Sequence, residues 1–104
     1  SVHSQADLMT VARAMANEIA ENTAAVSTTL TRHMMWRMLG ASHPMDAHIV
    51  DSAAIYSRGQ TDDAREGVMS FLEKRKPVYP VKVSDGMPSF FPWWEEPEFD
   101  WIGE

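Results

Sequence analysis

The distribution of proline divides this chain into two parts. Five of the six prolines follow Lys76, at positions 77, 80, 88, 92 and 97. Proline has no backbone N–H donor and a fixed φ, so a segment this rich in proline forms neither a long helix nor a central strand. The sequence therefore predicts a helical body over residues 1–80, followed by an extended arm over residues 81–104.

Apolar residues in the body recur every three or four positions, which is the spacing of one face of an amphipathic helix. The pattern predicts four helices: about 5–22, a second that ends with Gly40 in the left-handed conformation, a third from Pro44 to before Gly59, and a fourth from Thr61 to Pro77. Residues 1–76 show no strand pattern. We therefore predict an all-α fold, a four-helix body with a C-terminal proline-rich, aromatic extended arm.

Three sets of apolar side chains are expected to be buried. The second helix carries apolar residues on more than one side at 34–38, which indicates a second buried surface, either within this chain or between subunits. The third helix is expected to pack through Met45, Ile49, Ala53 and Tyr56. Seven of the ten aromatic residues follow Lys76, so we expect the arm to pack across the body or across another subunit.

Composition excludes several classes of function. The net charge of −6 argues against a nucleic-acid binder and against an anionic membrane surface. The chain has no cysteine, which excludes disulfides and thiolate nucleophiles and indicates a cytoplasmic location. His33, His43 and His48 lack the i, i+4 spacing of a helical metal site, so we interpret them as surface or capping residues and predict no metal and no cofactor.

The fourth helix carries the candidate chemistry. Asp62, Asp63 and Glu66 are acids at a helix start, where the helix dipole favours negative charge, so we predict no catalytic role for them. Phe71 and Lys74 are three residues apart and Lys76 lies just beyond, an arrangement that suits a phosphorylated ligand with a planar part. The alternative from spacing alone is a core phenylalanine beside an ordinary C-terminal lysine.

The end of this helix resembles a known family. Residues 63–79 read DAREGVMSFLEKRKPVY and resemble the pattern D-x-R-E-G-x-x-A-F-x-E-K-R-x-P-x-F/Y of the enoyl-CoA hydratase/isomerase (crotonase) superfamily. Residues 19–26, IAENTAAV, are similar to the family segment I-A-x-x-x-P-x-A, although alanine stands where proline is common. The resemblance covers residues 5–80 and corresponds only to the C-terminal helical segment of such an enzyme.

The resemblance implies a lyase or isomerase of fatty acid metabolism that acts on acyl-CoA thioesters. The family's larger N-terminal region supplies the oxyanion amides and catalytic glutamates, so this segment is expected to be inactive by itself. It would support assembly into trimers or hexamers and, through Phe71, Lys74 and Lys76, line the CoA cleft. The alternative is a stand-alone helical protein-interaction module with an aromatic docking arm.

Overall fold

The computed structural model of this chain describes residues 1–98. Its elements are α1 (Leu8–Asn22), α2 (Ala25–Arg37), a 3₁₀ turn (Met38–Gly40), α3 (Pro44–Gly59), α4 (Asp62–Leu72) and a short helix α5 (Val83–Gly86). No strand occurs in the described residues. The all-α prediction is therefore confirmed. The predicted arm contains the unexpected helix α5, and its residues 99–104 lie outside the described residues.

The ends of α2 and α3 follow local chemistry. The His43 Nδ1 atom accepts from the backbone N–H of Met45 at 3.0 Å, while the Asp46 carboxylate accepts from the backbone N–H of His43 at 3.3 Å. This capping box, with Pro44 at the first helical position, starts α3 and confirms the capping interpretation of His43. The left-handed conformation expected at Gly40 is wrong, because α2 instead tightens into a 3₁₀ turn.

The small core lies between α2, α3 and the arm. Val26 and Leu30 of α2 and Ala54 of α3 are buried. The partly buried residues packed against them are Met34, Val81, Met87, Phe90, Phe91 and Trp93. Most of these come from the arm, so its described part packs across the body of its own chain, as one of the two expected arrangements.

Gly86 allows the arm to approach α2 closely. A Cβ atom at this position would lie 2.1 Å from the Val81 Cγ1 atom and 3.4 Å from the Val26 Cγ2 atom. The first distance is far inside van der Waals contact, so any larger side chain would displace Val81, a partly buried residue of the same arm. The absence of a side chain at Gly86 therefore allows Val81 and α5 to pack together beside Val26.

A buried ion pair joins the same segments. The Arg58 guanidinium at the end of α3 donates to the Asp63 carboxylate at 3.2 Å and to the Gly86 carbonyl at 3.0 Å. Asp63, which is 3% exposed, uses its other oxygen to accept from the backbone N–H of Val81 at 3.0 Å. The pair therefore ties α3, α4 and the arm together through hydrogen bonds that satisfy both carboxylate oxygens.

Several apolar faces remain uncovered. The Cα radius of gyration is 17.8 Å, whereas a compact chain of this length has about 13 Å. Helix α1 has no buried residue, and Met35 and Trp36 of α2 are exposed. The packing expected on α3 through Met45, Ile49, Ala53 and Tyr56 is wrong for three of these residues in the described chain, since Met45, Ile49 and Tyr56 are exposed and Ala53 is half-buried.

We expect the arm to stabilise the body measurably. Deleting residues 88–104 removes Phe90, Phe91 and Trp93 from Leu30, and each large aromatic covers up to ~150–250 Å² at ~25 cal/mol per Å². The expected result is a lower urea midpoint. The free energy of unfolding should fall by several kcal/mol, less the conformational entropy that the freed arm regains. The exposed Trp36→Ala serves as the control and should leave the midpoint unchanged; an unaltered midpoint in the deletion would contradict the role of the arm.

Asp63 and its neighbour Asp62 provide a matched test of the buried pair. Asp63→Ala leaves the Arg58 charge without its carboxylate partner, so we expect a loss of about 3–5 kcal/mol in unfolding free energy. Asp62→Ala removes an exposed acid from the same helical turn and should cost only ~0.3–1 kcal/mol through the helix dipole. Equal losses in urea titrations of the two variants would show that Asp63 also acts only through the dipole.

Candidate functional site

Helix α4 ends earlier than predicted. Its last residue is Leu72, and Lys74 adopts the left-handed conformation with φ of 54°. The backbone N–H of Lys74 donates to the Phe71 carbonyl at 3.3 Å, and that of Arg75 donates to the Ser70 carbonyl at 3.0 Å. These two bonds define a Schellman motif, in which glycine usually occupies the position held here by Lys74. The expectation that Phe71 and Lys74 share a helix face is therefore wrong, because Lys74 lies beyond the helix.

All three predicted substrate-binding residues lie on the surface near this helix end. Phe71 is 82% exposed, which removes the alternative of a core phenylalanine within the described chain. Lys74 is exposed as well. The Lys76 Nζ atom donates to the Glu21 carboxylate of α1 at 2.7 Å, and this bond lowers the pKa of Glu21. An exposed aromatic ring thus lies in the last turn of α4 and two lysines lie just beyond it, one of them paired with Glu21.

Glu66 and Arg75 form the strongest polar contact of this region. The two terminal nitrogens of Arg75 donate to the two carboxylate oxygens of Glu66, at 2.5 and 2.8 Å, and the Arg75 Nε atom donates to Glu73 at 2.6 Å. Glu66 also accepts from the backbone N–H of Val78 at 2.7 Å. Because the Arg75 and Val78 donors favour the charged form, the pKa of Glu66 falls to about 2.

Sequence reasoning did not find this contact. Glu66 was assigned to the helix dipole, and its partner Arg75 lies nine residues further on, which is not the spacing of neighbours on a helix. Only the reversal at Lys74 brings the two side chains together. The sequence contained one signal. An acid within the helix and an arginine beyond its end, both before Pro77, are suited to an ion pair if the chain reverses between them.

Arg37 and His33 of α2 hold the end of the described arm. The Arg37 guanidinium lies 4.1 Å from the ring centroid of Trp94 and also pairs with Glu96. The His33 ring stacks on Trp94 with ring centroids 5.0 Å apart. The hydrogen bond from the Trp94 indole, followed by the charge of Arg37, lowers the pKa of Glu96. These contacts use the half-buried His33 ring for packing against the arm, which the surface or capping interpretation did not predict.

An open groove runs along α2 on the side away from the arm. Its volume is about 550 Å³, and it is lined by Ile19, Thr23, Ser27, Thr28, Thr31, Arg32, Met35 and Trp36.

Within residues 1–98, no three histidine or acidic side chains lie close enough to hold a metal ion. No helix of the described part of the chain has the length and apolar composition needed to cross a membrane.

Comparison with known proteins identifies the family. Residues 1–82 match the family model described as enoyl-CoA hydratase/isomerase. The chain is 43% identical over 79 residues to the enoyl-CoA hydratase AKT3-2 of Alternaria alternata, covering 76% of this chain and 26% of that protein. It is 46% identical over 65 residues to the enoyl-CoA hydratase AFT3-1 of the same organism, covering 62% of this chain and 21% of that protein.

The chain therefore belongs to the enoyl-CoA hydratase/isomerase family, which is the crotonase superfamily indicated by residues 63–79. It spans about a quarter of the length of the curated relatives that it matches. The family match ends at residue 82, so most of the arm that covers α2 lies beyond it.

The pKa of Glu66 leads to a prediction for the pH dependence of stability. A folded-state pKa of about 2, below the usual 4.5, adds stability that is fully present above about pH 4.5 and is lost as pH falls through about 2. Wild type should therefore melt at a higher temperature than Glu66→Gln at pH 6. The difference should shrink between pH 4.5 and 2; a difference that stays constant over this range would contradict the Glu66–Arg75 contact as its source.

Proposed function

We propose that this chain is the C-terminal helical region of an enzyme that acts on acyl-CoA thioesters, as a hydratase or an isomerase. In this proposal the segment carries no catalytic residue. It supports assembly of the subunits into a trimer or hexamer in the cytoplasm and contributes Phe71, Lys74 and Lys76 to the CoA site. Family membership supports the class of enzyme, and the arrangement at the end of α4 supports the site.

The uncovered apolar faces support a role in assembly. Helix α1 buries none of its residues, and Val68, Phe71 and Leu72 form an exposed apolar face on α4 at helical spacing. A free monomer rarely exposes so much contiguous apolar surface, because its burial is worth ~25 cal/mol per Å². Such faces fit a segment that packs against the remainder of a larger enzyme and against neighbouring subunits.

The open end of α4 is the observation that carries the CoA-site proposal. Coenzyme A combines phosphate groups with a planar adenine, so it requires cations beside an apolar or aromatic surface. Phe71 is almost fully exposed, and Lys74 reaches solvent from a helix end where no acidic side chain bonds it in the described chain. Arg75 is less suited to a ligand, because Glu66 and Glu73 already occupy its guanidinium, and Lys76 has to leave its ion pair with Glu21 to bind one.

The rival function, a stand-alone module that docks its aromatic arm into another protein, receives less support. Phe90, Phe91 and Trp93 pack on the core of their own chain. Trp94 is held by Arg37 and His33 of α2. The described aromatic residues of the arm are therefore engaged within the chain.

Lys74→Ala in the complete enzyme tests the CoA contact. We expect KM for an acyl-CoA substrate to rise about tenfold with kcat unchanged, since a hydrogen bond to a charged group contributes ~1.5–3 kcal/mol. A pantetheine thioester lacks the nucleotide, so its KM should not change. The ratio between variant and wild-type KM for acyl-CoA should fall as salt is added, because salt screens exposed charges.

The matched control is Lys82→Ala, which removes an exposed lysine from the start of the arm. Its KM for both substrates should equal that of wild type. If Lys74→Ala raises KM equally for the acyl-CoA and the pantetheine thioester, Lys74 does not contact the nucleotide end of CoA and the site assignment fails.

A further inference from the structure

The backbone at Lys74 is held in an unfavourable conformation. A residue with a Cβ atom is strained at φ of 54°, which is why glycine dominates this position of the Schellman motif. Such strain persists only where the surrounding structure determines the conformation. The motif's own two hydrogen bonds, to the carbonyls of Ser70 and Phe71, would form equally well with glycine. The presence of lysine at position 74 therefore indicates that its side chain has a function and that a further contact fixes the turn.

Glu66 supplies that contact from inside α4. Its carboxylate binds Arg75, the residue directly after the reversal, through two parallel hydrogen bonds at 2.5 and 2.8 Å. The same carboxylate accepts from the backbone N–H of Val78 at 2.7 Å, on the far side of Pro77. One side chain thus anchors both ends of the segment 75–78 to the helix, and it is the more enclosed partner, at 17% exposed.

A single exposed ion pair contributes little to structure, because water competes for both charges. The Glu66 contact differs in three ways, since it is bidentate, it includes a backbone donor, and Glu73 constrains the same guanidinium through its Nε atom at 2.6 Å. A rigid network of this kind fixes the backbone from which the neighbouring side chain projects. That neighbouring side chain is Lys74.

We propose that Glu66 is a positioning residue for Lys74: by binding Arg75 and the Val78 amide together, it holds the turn that presents the Lys74 ammonium to a phosphate group of the ligand. The turn itself is a property of this chain, and the ligand rests on the proposed CoA-site function. Glu66 does not touch the ligand in this arrangement. Its effect on binding passes through the conformation of residues 74–78.

Glu66→Gln tests the proposal in the complete enzyme through two independent measurements. The first is limited proteolysis by trypsin after Lys74 and Arg75, since trypsin does not cleave the bond before Pro77. Loss of the Glu66 charge should accelerate cleavage at these two sites several-fold, because the cleavage rate rises with the fraction of molecules in which the turn is open. Glu18→Gln removes the same charge from α1 and is not a hydrogen-bond partner of Arg75 or Val78, so its cleavage rate should match wild type.

The second measurement is the KM for acyl-CoA and for the matching pantetheine thioester. Glu66→Gln should raise KM for acyl-CoA about threefold, less than the roughly tenfold of Lys74→Ala, with kcat and the pantetheine KM unchanged. In the double variant with Lys74→Ala, Glu66→Gln should add nothing further, because both substitutions act on the same ammonium. A second, additive increase in KM would overturn the positioning role.

The two measurements separate failure of this proposal from failure of the proposed function. Unchanged cleavage in Glu66→Gln would show that Glu66 does not hold the turn, and this would overturn the inference whatever the kinetics show. The other outcome is faster cleavage in Glu66→Gln with an unchanged acyl-CoA KM in both Glu66→Gln and Lys74→Ala. This result would show that Glu66 fixes the turn and would refute the contact between Lys74 and CoA.

Discussion

The ion pair between Arg58 and Asp63 joins the end of α3, the start of α4 and the arm. Each partner also binds a backbone group of the arm, Arg58 the Gly86 carbonyl and Asp63 the Val81 amide. Because a buried charge without its partner is costly, the pair favours the assembly of all three segments together. The packing of α5 beside Val26 and the covering of Leu30 by the arm occur in the same assembly.

Elsewhere in the described chain, several apolar helix faces are exposed and not covered by another element. In the described residues the fully buried apolar core consists of Val26, Leu30 and Ala54, and a chain of this length with so little buried surface is only marginally stable. The extended shape and the unburied helix α1 fit a chain that spans about a quarter of its curated relatives. Under the proposed function, these faces pack against the remainder of such an enzyme and against neighbouring subunits.

The end of α4 combines a structural cost with a proposed use. Lysine in the left-handed conformation at position 74 costs on the order of 1 kcal/mol relative to an unstrained residue. A glycine would end the helix with less strain but would present no cation. The Glu66–Arg75 contact stabilises the same turn from the helix side. Stability is thus given up at one residue and recovered at its neighbours, which is the pattern expected where a side chain serves a ligand.

The sequence by itself determined the all-α class and the four long helices of this fold. Apolar spacing, proline placement and the His43–Pro44 start encode local conformation, and local conformation depends on nearby residues only. The motif over residues 63–79 was equally sufficient to identify the family. Tertiary structure alone decided that Asp63 is a buried partner of Arg58 and that Glu66 binds Arg75. In each of these contacts, a turn of the chain brings together two side chains that are not neighbours on one helix. The pattern of residues along the sequence does not contain the distance between such side chains.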